Sequence, residues 1–166
     1  MNESQVGRRW VVAVAVAAAL VVGFVAATQV ATPVRTARGQ AVVHVVYPFD
    51  SLSLEFLDFG KDGLRLGDRV VAHGPLLDGK TADRVGTGYN ECVVQRHVTD
   101  TAGLWVCSYV LELAEGDIVL TGLDPRGPGV STFSVTGGTG AYDGVGGHAT
   151  FTDTKAETDM VIVLAA

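Results

Sequence analysis

The chain is poor in positive charge beyond its start, poor in aromatic side chains at 7%, and holds only two cysteines in 166 residues. Each shortage removes a class of function. From residue 40 onward there are 8 basic and 17 acidic residues, net −9, with no cluster of lysine or arginine. A phosphate backbone approaching such a body meets repulsion in place of counterion release, so nucleic acid is not expected as a partner. The four histidines, His44, His73, His97 and His148, are scattered with no i, i+2 or i, i+4 pair and no carboxylate motif beside them, so no metal site is expected. Ser131 lacks the glycine-flanked elbow of a serine hydrolase. Heptads, a sustained helical period and internal repeats are all missing, which argues against an all-helical body.

What is present begins with a leader. Arg8 and Arg9 precede an apolar run from Trp10 to Ala27, followed by the small residues of "VAATQVATP". This is the layout of an export signal. The run exceeds the usual apolar core of about 7 to 15 residues and reaches the roughly 18 that permit a membrane span. A cleaved signal peptide and a retained anchor helix therefore both stay open, and the membrane is a partner only in the second case. A buried core helix is the third reading, opposed by the lack of any polar stripe. Residues 1–39 are taken as signal or anchor plus a short linker, and residues 40–166 as one domain. The product is expected outside the cytoplasm, secreted or held on the outer face of the cell membrane.

The body reads as strands. Predicted segments are Ala41 to Tyr47, Asp68 to Gly74, Arg84 to Arg96, Leu104 to Leu113, Asp117 to Gly122, Val130 to Thr136, Gly147 to Thr154 and Asp159 to Leu164, with another near Leu52 to Phe59. In "STFSV" Phe133 and Val135 take one face and Thr132 and Ser134 the other, the period-2 alternation of a half-buried strand. The breakers "FGKDG", "HGPLLDG", "AEGD" and "GLDPRGPG" fall between segments, and a spacing near ten residues argues for an antiparallel barrel or sandwich. In "LELAEGDIVL" two strand-like runs meet at Glu115-Gly116 as a hairpin. If the strands carrying Cys92 and Cys107 join around Thr99 and Asp100, the two sulfurs face each other, and export would let a disulfide persist. The alternative is a pair of buried thiols packed as small apolar groups.

The stretch "VTGGTGAYDGVGGHATF" raises a different question. Gly144-x-Gly146-x-x-Ala149 formally satisfies a dinucleotide fingerprint, which works only where a helix N-terminus follows to hold the pyrophosphate. Here "HATFTDT" follows, whose threonines and phenylalanine favour a strand. The stretch is predicted to be a glycine corner between two strands.

With those residues in view, "FSVTGGTGAYDGVGGHATF" resembles the strand, glycine turn and strand shared by plant allene oxide cyclases and dirigent proteins. "RVGTGYNECVV", "LGDRVVAHGPLLDG" and "ETDMVIVL" are similar to further segments of these families in the same order, so the resemblance spans most of residues 40 to 166. It implies an all-β fold, an eight-stranded antiparallel β-barrel behind the N-terminal signal or anchor helix, with a largely apolar bore. It also implies a small apolar ligand, no cofactor, and assembly into homo-oligomers of unfixed number. Isomerase or cyclase chemistry, or guidance of stereochemistry, is the implied activity. A non-enzymatic carrier or structural envelope protein on the same barrel is the alternative, and a bore filled by side chains is a third reading.

The resemblance is incomplete at its chemistry. The cyclases carry a glutamate on the first strand, and "AVVHVVYPFD" has none. Dirigent proteins carry an aspartate at the end of that strand, where Asp50 stands here, whereas the arginines after their glycine turn are replaced by Asp143 and Gly147. Asp50 and Tyr109 are the predicted catalytic residues, Asp50 as an acid and Tyr109 as a hydrogen-bond donor to a carbonyl or epoxide oxygen. Tyr47, Tyr89 and Asn90 are the predicted ligand-binding residues. The competing readings are a solvated turn aspartate for Asp50 and plain packing for the tyrosines.

Overall fold

The computed structural model describes residues 34–35, 40–57, 63–99, 102–125 and 127–165. The apolar run Trp10 to Ala27 lies outside them, and of the segment 1–39 only Val34–Arg35 is described. Within this range the regular structure is strand apart from two single-turn 3-10 helices. The strands are β1 (Val34–Arg35), β2 (Gln40–Pro48), β3 (Ser53–Leu57), β4 (Arg69–Asp78), β5 (Arg84–Thr99), β6 (Ala102–Leu113), β7 (Gly116–Asp124), β8 (Gly129–Gly138), β9 (Gly146–Asp153) and β10 (Glu157–Ala165).

Hydrogen bonding runs antiparallel in the order β2-β10-β9-β8-β7-β6-β5-β4, and β4 pairs back onto β2, closing an eight-stranded ring. The closing seam is narrow, with Val45 opposite Asp78 and Val46 opposite Leu77. Beyond it, β1 continues the free edge of β2, and β3 continues the free edge of β4 from Arg69 to His73. At one end β2 and β4 therefore diverge, joined only by the 3-10 turn Phe49–Ser51 that leads into β3. That end is the mouth of the barrel.

Alternation places the core. Val43, Val45 and Tyr47 of β2, Leu111 of β6, Ile118 and Leu120 of β7, Phe133 of β8, Phe151 of β9 and Met160 and Ile162 of β10 all point into the bore and are buried. Tyr109, Phe133 and Phe151 form an aromatic cluster. Phe133 and Phe151 stack with centroids 4.2 Å apart, and Tyr109 meets both edge-on at 5.3 and 4.9 Å. Such offset and edge contacts add to the burial of large rings. Cys92 and Cys107 stand directly opposite each other on β5 and β6, both fully buried, and form the cross-strand disulfide.

The end opposite the mouth is shut. The predicted glycine corner is there: β8 runs to Gly138, the 3-10 turn Gly140–Tyr142 caps it with Tyr142 buried, and β9 starts at Gly146. The hairpin tip between β6 and β7 is locked against this corner. Ala141 donates its N–H to the Glu115 carbonyl at 2.8 Å, Thr139 donates to the Asp117 carbonyl at 3.0 Å, and the Asp117 N–H returns a bond to Thr139 Oγ1 at 2.9 Å. Gly116 sits between them at φ +139°, where a Cβ would fall on the Thr139 carbonyl oxygen.

One predicted boundary is wrong. "HGPLLDG" was expected to break the chain after Gly74, yet β4 runs through Pro75 to Asp78. Pro75 lies between His73, where β3 stops pairing, and Leu77, where β2 takes over. On that edge the strand has no ladder partner, so the missing N–H costs no interstrand bond. The chain turns only at Asp78, whose Oδ1 accepts the N–H groups of Lys80 and Thr81 at 2.9 Å each, which holds its carboxyl below the usual aspartate range.

Candidate functional site

Where β2 and β4 part, a cavity of about 360 Å³ opens from the mouth into the bore. Its wall on one side is the turn and β3, supplying Phe49, Leu52, Leu54 and Phe56; its floor is Tyr47, Ala72, Asn90, Tyr109 and Asp124; its far rim is Gly127, Asp153, Thr154 and Thr158. Leu54 and Phe56 follow the strand alternation that should bury them, but β3 faces the open cavity, with Asp124 of β7 and Asp153 of β9 on its other side. They remain 50% and 66% exposed, an apolar face with no protein covering it among the described residues.

The floor is polar at a few points. Tyr47 donates its hydroxyl hydrogen to the Gly88 carbonyl at 3.0 Å and lies 3.4 Å from Asn90 Oδ1. Burial, with a smaller contribution from Tyr89, raises the Tyr47 pKa far above the ordinary phenol value, so this ring stays neutral at any physiological pH. Asn90 Nδ2 in turn donates to Cys92 Sγ at 3.7 Å, and Asp124 Oδ2 lies 3.8 Å from Cys107 Sγ. The disulfide is thus the layer directly beneath the floor. Asp124 is 5% exposed, an acid carried into the bore at the end of β7. At the rim, Thr158 donates its hydroxyl to Asp153 Oδ1 at 2.6 Å.

Three of the predicted residues, Tyr47, Asn90 and Tyr109, come together on this floor. Two do not. Asp50 sits on the exposed 3-10 turn, where Ser51 donates its hydroxyl to the carboxylate at 2.9 Å, and it does not line the cavity. The turn carries Phe49 toward the mouth and the neighbouring carboxylate into solvent. Tyr89 is one residue from Asn90 and so points to the opposite face of β5; it is 44% exposed and donates to Glu112 Oε2 at 3.1 Å on the outer surface. That bond and the charge of Glu112 raise its pKa. It lines a separate outer groove with His73, Glu55 and Val110.

Asp124 is hidden in the sequence, because "GLDPRGPG" reads as a turn. A signal was nevertheless present. Asp124 keeps the parity of Ile118, Leu120 and Gly122 along β7, which are inward positions, so counting by twos from the core places its carboxylate inside.

These features define an eight-stranded antiparallel barrel, packed at one end and open to an apolar cavity at the other: the allene oxide cyclase/dirigent-like barrel fold. Solved structures share it. A pyocyanin demethylase superposes with a TM-score of 0.64 at 24% identity, over 75% of this chain and 99% of that one. A pterocarpan synthase dirigent protein gives 0.58 at 16%, covering 75% and 83%. A Diels–Alderase from Streptomyces koyangensis gives 0.58 at 16%, covering 78% and 65%. No protein-family model and no curated protein sequence matches the chain.

Proposed function

We propose that this is an exported barrel that binds a small apolar molecule in the mouth cavity and isomerises or cyclises it, or directs its stereochemistry, without a cofactor. The observation that carries the reading is the convergence of Tyr47, Asn90 and Tyr109 on one apolar-walled cavity beside an uncovered face of β3. Ring closure and isomerisation rearrange atoms already within one molecule, so a barrel acts on them chiefly by holding a reactive conformer. The chemistry named for the structural neighbours, a Diels–Alderase and a dirigent protein, supports positioning as the mode of action.

Roles follow from the geometry. Phe49, Leu54 and Phe56 take the apolar body of the ligand. Tyr109 offers a hydroxyl to an oxygen that gains charge during reaction, where a placed donor is worth most in a water-poor site. Tyr47 is a positioning residue: its hydroxyl donates to the Gly88 carbonyl and reaches Asn90 Oδ1 as a longer second acceptor, which sets the orientation of that amide.

The test is to purify the full chain from its native host, release whatever is bound, and identify it by mass spectrometry. The released molecule and its close unsaturated precursors are then incubated with the native protein and with Tyr109→Phe. Conversion by the native protein that falls at least tenfold in the variant supports an enzyme. A ligand returned chemically unchanged, from native protein and variant alike, removes the catalytic reading and leaves a carrier. Export is tested separately by fractionating cells and determining the mature N-terminus; a cytoplasmic chain retaining Met1 would remove it.

A further inference from the structure

Resting on that cavity reading, we infer that the site selects an organic ammonium or a cationic aromatic nitrogen compound, and discriminates against carboxylates such as free fatty acids. Four aromatic rings line the cavity, those of Tyr47, Phe49, Phe56 and Tyr109. Two carboxylates join them, Asp124 at the floor and Asp153 at the rim, and none of the described lining residues is basic. A cation among ring faces is held by their quadrupoles, and most strongly where water is excluded. A carboxylate placed there would instead face Asp124 at short range in a region of low dielectric.

The charge of the surroundings points the same way, since the body from residue 40 carries net −9. Asp124 and Asp153 both have contacts of their own, so the selection rests on the sign of the field and on the rings, not on an idle acceptor. The cavity also has the right proportions for an amphiphile. Its apolar wall is β3, and its acidic groups lie across from that wall on the β7 and β9 sides.

The experiment uses the full chain and three probes of one shape and different charge: 2-naphthylmethylammonium, 2-naphthylmethanol and 2-naphthoate. Each competes against the fluorescence of bound N-phenyl-1-naphthylamine. The ammonium is expected to bind at least tenfold more tightly than the carboxylate, with the alcohol between. Asp124→Asn should bring ammonium and carboxylate within about threefold of each other. Asp153→Asn should give a smaller change of the same sign, which keeps the test available if the buried variant fails to fold. Asp143→Asn, an exposed acid at the far end of the barrel, should leave the ratio unchanged.

Binding of the alcohol with no preference between the charged probes would overturn the charge selection and leave the apolar cavity intact. A preference that falls equally in all three variants would also overturn it, because long-range attraction to an acidic protein would then suffice. Failure of the fluorophore and of all three probes to bind would overturn the cavity reading itself.

Discussion

At the closed end of the barrel backbone meets backbone: Gly116 lies against the Thr139 carbonyl, and four hydrogen bonds tie the β6–β7 tip to the glycine corner. At the mouth the same alternating strands leave Leu54 and Phe56 half-bare or more, and Gly127, also at positive φ, has nothing within 4 Å of a Cβ. The difference comes from the seam. Where β2 and β4 pair, the inward side chains Val43, Val45 and Tyr47 are buried; where β3 replaces β2 along β4, the inward face borders an open cavity. One fold thus supplies a rigid base and an adaptable pocket, and substitutions at the two ends should fail in different ways.

The largest contrast is expected between two phenylalanines. Phe133 is 1% exposed and stacked on Phe151, so Phe133→Ala should lower unfolding free energy by about 3–5 kcal/mol, as cavity-forming truncations of buried rings do. Phe56 is 66% exposed, so Phe56→Ala should stay within about 0.5 kcal/mol of the parent in a urea titration. It should still weaken N-phenyl-1-naphthylamine binding roughly fivefold, the loss of about 1 kcal/mol of ring contact. Equal destabilisation by the two substitutions would erase the distinction between packed base and open mouth.

Next in size is the disulfide between the two ends. Cys92 and Cys107 are 15 residues apart in sequence, and opening a loop of that length corresponds to about 3 kcal/mol through the unfolded chain. Replacing both cysteines by alanine should lower the melting temperature. It should also loosen the floor, because Asn90 and Asp124 both rest on these sulfurs. Loss of stability with probe affinity unchanged would mean that the floor is held from elsewhere.

How much of this was legible in the sequence follows the same division. The closed end is local chemistry: glycines at a corner, a two-residue hairpin tip and strict alternation in "TFSV"; the disulfide between the two ends is equally local, since its strands are neighbours in the chain. Turn chemistry and period-2 reasoning reach these, with the hairpin tip at Ala114–Glu115, one residue earlier than the Glu115-Gly116 junction, and with the disulfide as one of two readings of the cysteines. The mouth depends on which strand lies beside which, and a single sequence carries little of that. Pro75 reads as a break in the sequence because its tolerance depends on an unpaired edge created by β2 and β3 together. The place of Asp50 after the first strand suggests a site residue, but the 3-10 turn directs Phe49 and not Asp50 toward the cavity. Parity alone excludes Tyr89 from the bore, since a strand that buries Cys92 and turns Asn90 inward cannot also send Tyr89 there.

A smaller contrast sharpens the comparison of backbone. Gly116→Ala places a methyl group on the Thr139 carbonyl at φ +139°, and should cost more than 2 kcal/mol by urea unfolding. Gly127→Ala meets only the conformational penalty of φ +100°, about 1 kcal/mol. If the order were reversed, the mouth loop would be the more constrained of the two.

The smallest effect is expected at Tyr142, which plugs the closed end. Its hydroxyl is buried with no hydrogen-bond partner among the described residues. Tyr142→Phe should therefore change stability at pH 7 by no more than about 1 kcal/mol, and in the stabilising direction if at all. Alkaline pH separates the two proteins. Burial, with the nearby Glu115 charge, pushes the Tyr142 pKa up from 10.0 to about 12. Below pH 10 the folded and unfolded phenols are both protonated, and the stability linked to this group is fully present. Between pH 10 and about 12 the unfolded chain ionises first, so that contribution is lost as pH rises. The phenylalanine variant has no such proton to lose, so it should gain on the parent protein between pH 10 and 12 in urea unfolding. A loss of more than 2 kcal/mol at pH 7 would show instead that the hydroxyl is bonded, and that the closed end is held by polar contacts as well as by packing.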